Sequence, residues 1–191
     1  MPIITATQVT VYSDISASAA TILASGKIAV VQDRITYICN NYFTSDLYLN
    51  GPFTFNATAR TVVTSGNEWA SYGFAAADDI YIYHSYRNDG YYTVSSISGS
   101  TLTLITGSSV QDELSGRSIM ISVVQWPSDL LATAAQMVAF DYDIRPTRSS
   151  GTLSIRLGPW SESYGKVANG EFGYPLDLIA PLNDHKIVRL M

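Results

Sequence analysis

The apolar residues of this chain change their period twice, and no single regular element accommodates both periods. In residues 27–43, KIAVVQDRITYICNNYF, apolar side chains fall at Ile28, Val31, Ile35, Ile38, Cys39 and Tyr42. That three-and-four spacing predicts an amphipathic helix. From Phe53 to Gln125 the chain is instead rich in Tyr, Thr, Val, Ile and Ser, with turn residues at intervals that suit short antiparallel strands. Helical spacing returns after Trp126-Pro127-Ser128-Asp129, where Ser128 is placed to cap free backbone N–H groups and Asp129 to favour the positive helix end. Leu130, Leu131, Ala134, Met137, Val138 and Tyr142 form the stripe of this second helix, its alanines permit close packing, and Arg145-Pro146 ends it.

The expected fold class is therefore α+β. A small helical core of two long antiparallel helices, with short helices and a β-hairpin, would be discontinuous over residues 1–50 and 127–180. An antiparallel small β-barrel would be inserted at 51–126, and 181–191 would form an arm. Within the insert, Thr54–Val63, Ile80–Tyr86, Tyr91–Ile97, Thr101–Thr106 and Arg117–Gln125 read as about five strands, the size of an SH3-like or OB-like barrel. Asn88-Asp89-Gly90 and Ser98-Gly99-Ser100 supply tight turns, and Asn50-Gly51-Pro52 with Trp126-Pro127 the connections to the helices. Upstream, ATQVTVYSD reads as an extended lead-in and Ser16–Ser25 as a short helix closed by Gly26. Downstream, TLSIRLGPWSESYG reads as two strands around a turn at Gly158-Pro159, and LDLIAPL as a short helix after Gly173-Tyr174-Pro175. The last stretch, HKIVRLM, alternates apolar and basic residues: either a frayed tail or an arm that adds to a neighbour's surface.

Composition narrows the classes of function. With 47% apolar and only 14% charged residues the chain must bury surface rather than stay disordered. Thirteen tyrosines, with a slightly positive mean hydropathy, suit either surfaces covered by other subunits or half-exposed strands. A net charge of −5 and only three lysines argue against gripping nucleic acid through its phosphates, although an acidic surface suits a channel through which DNA slides. The single cysteine, Cys39, cannot form an internal disulfide and reads as a small buried hydrophobe. The start, MPIITATQVTVY, lacks the basic region and apolar run of a signal peptide, and no stretch is long enough to span a bilayer, so synthesis in a cytoplasm and no membrane partner are expected.

No enzyme is expected. His84 and His185 lie far apart, one on a presumed strand and one in the tail, and no HExxH, CxxC, GxSxG or Walker pattern occurs, so no catalytic residue, metal ligand or cofactor is assigned. The acid pairs Asp78-Asp79 and Asp112-Glu113 would suit glycoside hydrolysis in principle. Adjacent strand residues point to opposite faces, however, and acids at strand approaches commonly meet solvent. The tyrosines Tyr81, Tyr83, Tyr86, Tyr91 and Tyr92 offer a face for stacking sugars or bases. Of these, Tyr81, Tyr83, Tyr91 and Tyr92 are the candidate exterior or partner surface.

The order of these parts resembles the head-to-tail connector, or adaptor, proteins of tailed bacteriophages. The resemblance rests on residues 27–43 as the first helix, on WPSDLLATAAQMVAFDYDIRP, on SGTLSIRLGPWSESYG and on GYPLDLIAPLNDHKIVRL. It covers somewhat over half of the chain. The β-insert departs from the smallest members, whose helices are joined by a brief loop, although NDGYYTVSSISGSTLTL is similar to β-modules of phage neck and tail proteins. The resemblance implies a virion protein of the neck: a dodecameric ring that docks on the portal, extends the DNA channel without sequence-specific binding and presents a platform to stopper or tail proteins. It implies a portal-binding arm, Pro181–Met191, carried by Asn183, Lys186, Ile187, Val188, Arg189, Leu190 and Met191. It also implies that Leu130, Ala134, Met137 and Val138 of the Ala-rich helix pack between ring subunits. The other reading from the sequence is a tail component that binds receptor or glycan through the tyrosine face of the insert.

Overall fold

A computed structural model describes residues 3–66, 68–114, 118–144, 154–157, 160–163 and 171–187. The chain divides into two compact units, one formed by Tyr42–Trp126 and the other by the segments on either side of it.

The Tyr42–Trp126 unit is a closed, wholly antiparallel sheet of six strands: β1 (Thr44–Asn56), β2 (Thr61–Thr64), β3 (Asp79–Tyr83), β4 (Gly90–Ser98), β5 (Thr101–Leu104) and β6 (Ser118–Val124). Their spatial order is β1-β2-β5-β4-β3-β6, and β6 returns to β1. Alternation explains the interior. Ile80 and Ile82 of β3, Leu102 and Leu104 of β5, and Ile119 and Ile121 of β6 are buried, each separated by a residue on the other face. Trp69, from a 3-10 turn at Trp69–Tyr72, enters the same core, stacked on Phe53 with ring centroids 5.4 Å apart. Its indole N–H donates to the Ser100 carbonyl at 2.9 Å, which satisfies the one polar atom it brings inside.

Two strands close the sheet by changing neighbours. β1 pairs with β6 as far as Pro52 and with β2 from Phe53, while β4 pairs with β3 as far as Thr93 and with β5 from Val94, through a register shift. Pro52, which has no N–H to donate, therefore sits where one ladder ends and the next begins. Asn50-Gly51-Pro52 is thus the middle of β1 and not a connection. The expected strand Thr54–Val63 is in fact two, split by a turn in which the Asn56 carboxamide oxygen accepts the Ala59 N–H at 2.8 Å and Arg60 takes a φ of 53°. Asn88-Asp89-Gly90 does not make a tight hairpin either. β3 stops at Tyr83, and the loop to Gly90 is shaped by Asp89, which accepts the Ser85 N–H at 2.7 Å.

The second unit contains α1 (Ala6–Tyr12), α2 (Ala19–Ala24), α3 (Lys27–Cys39) and α4 (Leu130–Ala139), the last continued by a π-turn at Phe140–Ile144. A hairpin of β7 (Ser154–Leu157) and β8 (Trp160–Ser163) follows, then α5 (Leu176–Ile179) and a 3-10 stretch to His185. The turn expected at Gly158-Pro159 lies outside the described residues. Against α4 pack α1, α3 and α5.

The expected fold class is corrected here. The principal element is the six-stranded antiparallel sheet, and the helices are short: α3 has 13 residues and α4 has 10. Among the described residues there is no core of two long helices. α3 ends because Asn40 turns left-handed, at φ 47°, and Asn41 N–H bonds back to the Thr36 carbonyl at 3.1 Å, so Tyr42 belongs to the other unit. At the start of α4 the cap is Asp129, without a side-chain hydrogen bond, and Ser128 does not cap. The stretch ATQVTVYSD is helical over Ala6–Tyr12 rather than extended: Thr5 and Gln8 form a reciprocal capping box, with the Gln8 N–H on Thr5 Oγ1 at 3.2 Å and the Thr5 N–H on Gln8 Oε1 at 2.9 Å.

Candidate functional site

Three places gather side chains beyond what a plain core requires. The first is the base of the basic and apolar segment. Leu182 is fully buried and anchors the 3-10 stretch, after which the Ile187 N–H donates to the Cys39 carbonyl at 2.9 Å. The Asn40 side-chain amide donates to the Ile187 carbonyl at 3.1 Å, and that of Asn41 to the His185 carbonyl at 3.3 Å. The left-handed end of α3 therefore holds this backbone, while Asn183, Lys186 and Ile187 keep their side chains exposed. Val188, Arg189, Leu190 and Met191, assigned to the same arm, lie outside the described residues. His185 pairs with Asp129 at 2.8 Å, and this hydrogen bond holds the Asp129 carboxyl below its ordinary range.

The second place is a buried polar cluster of the helical unit. Arg34 on α3 donates to Asp141 in the π-turn and, at 2.6 Å, to the Tyr174 hydroxyl, which itself donates to Asp141 at 2.9 Å. Asp141 is 1% exposed and Tyr174 is fully buried. The guanidinium also lies over the Tyr174 ring at 5.4 Å and the Phe172 ring at 5.8 Å. Burial, with the neighbouring Asp141 charge, pushes the Tyr174 hydroxyl up to about 12. Burial alone would lower the Arg34 value, but Tyr174 and Asp141 together raise it. A buried carboxylate held by a guanidinium and a phenol needs nothing further, so this cluster is a tie between distant segments of chain. No local spacing in the sequence marks it.

The third place is an aromatic face of the β unit. Tyr81 packs against Tyr42 at 4.3 Å, Tyr83 at 4.4 Å and Tyr91 at 4.7 Å, and Tyr91 lies 5.7 Å from Trp126. The Tyr91 hydroxyl donates to the Tyr42 carbonyl at 3.2 Å. Desolvation in this cluster raises the Tyr81 hydroxyl. Three of the four tyrosines named from the sequence thus come together, whereas Tyr92, one residue on from Tyr91, faces the core side of β4. Tyr42 and Trp126 join them unforeseen, because one was read as helix and the other as a boundary.

Leu130, Ala134, Met137 and Val138, expected to pack between ring subunits, are each 0% exposed. They seat α4 in its own chain, where Ala134 serves close packing within the subunit. The four acids considered for hydrolysis are each held by local hydrogen bonds. Asp78 accepts the Ala75 N–H at 2.7 Å, Asp79 the Thr93 hydroxyl at 2.7 Å and Asp112 the Ala57 N–H at 2.8 Å. Glu113 is buried rather than solvated, and accepts the Tyr86 N–H and the Asn88 side-chain amide, each at 3.0 Å. Among the described residues no three His, Cys, Asp or Glu side chains could hold a metal ion, and no helix is long and apolar enough to cross a membrane.

The chain matches no model of a known protein family, and no curated protein matches it in sequence.

Proposed function

We propose that this chain is a structural subunit of a tailed-phage neck, forming a ring on the portal that extends the DNA channel and seats stopper or tail proteins. The observation that carries this reading is the anchoring of the chain at Ile187, near the base of the Lys186–Met191 segment. Its backbone is fixed at Ile187 by the end of α3, while the described side chains Lys186 and Ile187 face solvent. Such a segment presents apolar anchors and cations to a partner from a preset starting point, which reduces the ordering cost of docking. A closed ring requires heterologous contacts. With the α4 stripe buried in the subunit, the apolar side chains offered for such contacts are exposed ones, such as Leu23, Val30 and Tyr37 at 71%, 42% and 71%.

Electron-microscopic imaging of the purified chain mixed with its portal tests this. Rings on the portal are expected from the full chain, and none from a chain lacking Val188–Met191. Equal decoration by both would overturn the arm, and no rings from either would overturn the neck role.

A second reading, a tail component that binds glycan or receptor, is favoured by the Tyr42, Tyr81, Tyr83, Tyr91 and Trp126 face, whose indole N–H has no partner among the described residues. It predicts that Tyr81→Ala with Tyr83→Ala abolishes adsorption of particles to cells and leaves neck assembly intact.

A further inference from the structure

A groove of ≈ 560 Å³ opens in the helical unit between the end of α1, α4 with its π-turn, and α5. Val11, Tyr12, Phe140 and Leu178 give it an apolar lining, and Asp14 and Asp143 give it negative charge. Val11 is 71% and Tyr12 46% exposed, although each follows the buried Val9 on a helix that has its own packed side. Asp143 accepts only the Ser16 hydroxyl, at 3.1 Å, and among the described residues neither Asp14 nor Asp143 has a cationic partner. The complement of this groove is a short segment that brings aliphatic side chains and positive charge together.

One short segment of the sequence sets two cations three residues apart among aliphatic residues, Lys186-Ile187-Val188-Arg189-Leu190-Met191. Its aliphatic residues Ile187, Val188, Leu190 and Met191 alternate with the cations Lys186 and Arg189 in sequence. The other pair of cations at the same spacing, Arg145 and Arg148, flanks Pro and Thr instead. The chain's own segment does not begin there. Lys186 and Ile187 stand exposed, neither lines the groove, and the backbone is tied to Cys39. We infer that the groove receives the Lys186–Met191 segment of a second copy of this chain. Groove and segment are different patches, so the contact is head-to-tail and leaves one of each free at the ends of any open chain.

This goes beyond the neck reading, because it concerns the chain alone and holds or fails without a portal. On that reading the portal and a neighbouring copy compete for the same segment.

Sedimentation of the full chain over a concentration series at low salt provides the test, with two charge reversals. One reverses the segment, Lys186→Glu with Arg189→Glu, and the other reverses the groove, Asp14→Lys with Asp143→Lys. The average mass of the wild type is expected to rise with concentration, and each reversal alone to weaken association by at least about tenfold. An equimolar mixture of the two should associate again, since each then offers what the other lacks, a recovery that a purely structural defect would not give. Asp14→Lys alone and Val11→Asp, at exposed positions, repeat the weakening if the Asp143 variant fails to fold. A wild type that stays monomeric, variants that associate as it does, or a mixture that does not recover would each overturn the inference. Shielding of Tyr12 that is lost on segment reversal but independent of concentration would place the chain's own segment in the groove, and would equally overturn it.

Discussion

The strands of the Tyr42–Trp126 unit come from one continuous stretch of chain and pair in antiparallel ladders, whereas the helical unit joins two stretches of chain with all of those strands between them. The first gathers its core within one stretch of chain, although its β1 and β6 ladder joins the two ends of that stretch. The second must close a long loop before any contact between α3 and α4 stabilises it. Their interiors differ accordingly. The strand unit is filled by Phe53, Trp69, Phe74 and the alternating aliphatics of β3, β5 and β6. The helical unit adds to its apolar contacts the Arg34, Asp141 and Tyr174 cluster, in which one residue precedes the strands and two follow them. A directional, charged tie specifies which segments meet, a task for which apolar contact is poorly suited.

The largest effect that would break this comparison is expected from Asp141→Ala. Removal of the carboxylate leaves a guanidinium without its charge partner, and denaturant titration should register a loss of about 3–5 kcal/mol in the helical unit. In the strand unit the corresponding polar contact is Glu113. Its alanine variant strands the Tyr86 N–H and the Asn88 amide, at a cost of about 1–3 kcal/mol read in the same way. Thr5→Ala, which opens the capping box of α1, should cost about 1 kcal/mol by thermal melting. The last effect is a pH dependence confined to the alkaline side. Because the Tyr174 hydroxyl is raised in the fold, its contribution is complete below about pH 10, the ordinary tyrosine value, and is lost as the pH rises through about 12. Tyr174→Phe should remove that alkaline loss from the helical unit and leave the share of Tyr81 and Tyr92, which are also raised, in the strand unit.

The change of period along the chain was legible, because binary patterning depends on each residue's immediate neighbours. Where each element stops was not. Asn40 ends α3 by a left-handed turn that its sequence permits but does not compel, so Tyr42 kept a helical spacing it does not use. Val9 and Val11 imitate strand alternation, yet only Val9 is buried, and the Thr5-x-x-Gln8 box was the signal that outweighs it. Pro52 reads as a break to anyone who assumes one partner along a strand's whole length. On the aromatic face, Tyr91 and Tyr92 were grouped although alternation separates neighbours. The Arg34, Asp141 and Tyr174 cluster spans three distant segments and leaves no trace in any window of sequence.

Amide hydrogen exchange of the Asp141→Ala chain tests most directly whether the outer segments form one cooperative body. Protection in Lys27–Cys39 and Leu130–Ala139 should fall together and by the same factor, while the strands from Thr44 to Val124 keep theirs. Loss confined to Leu130–Ala139, or spread equally into the strands, would contradict it.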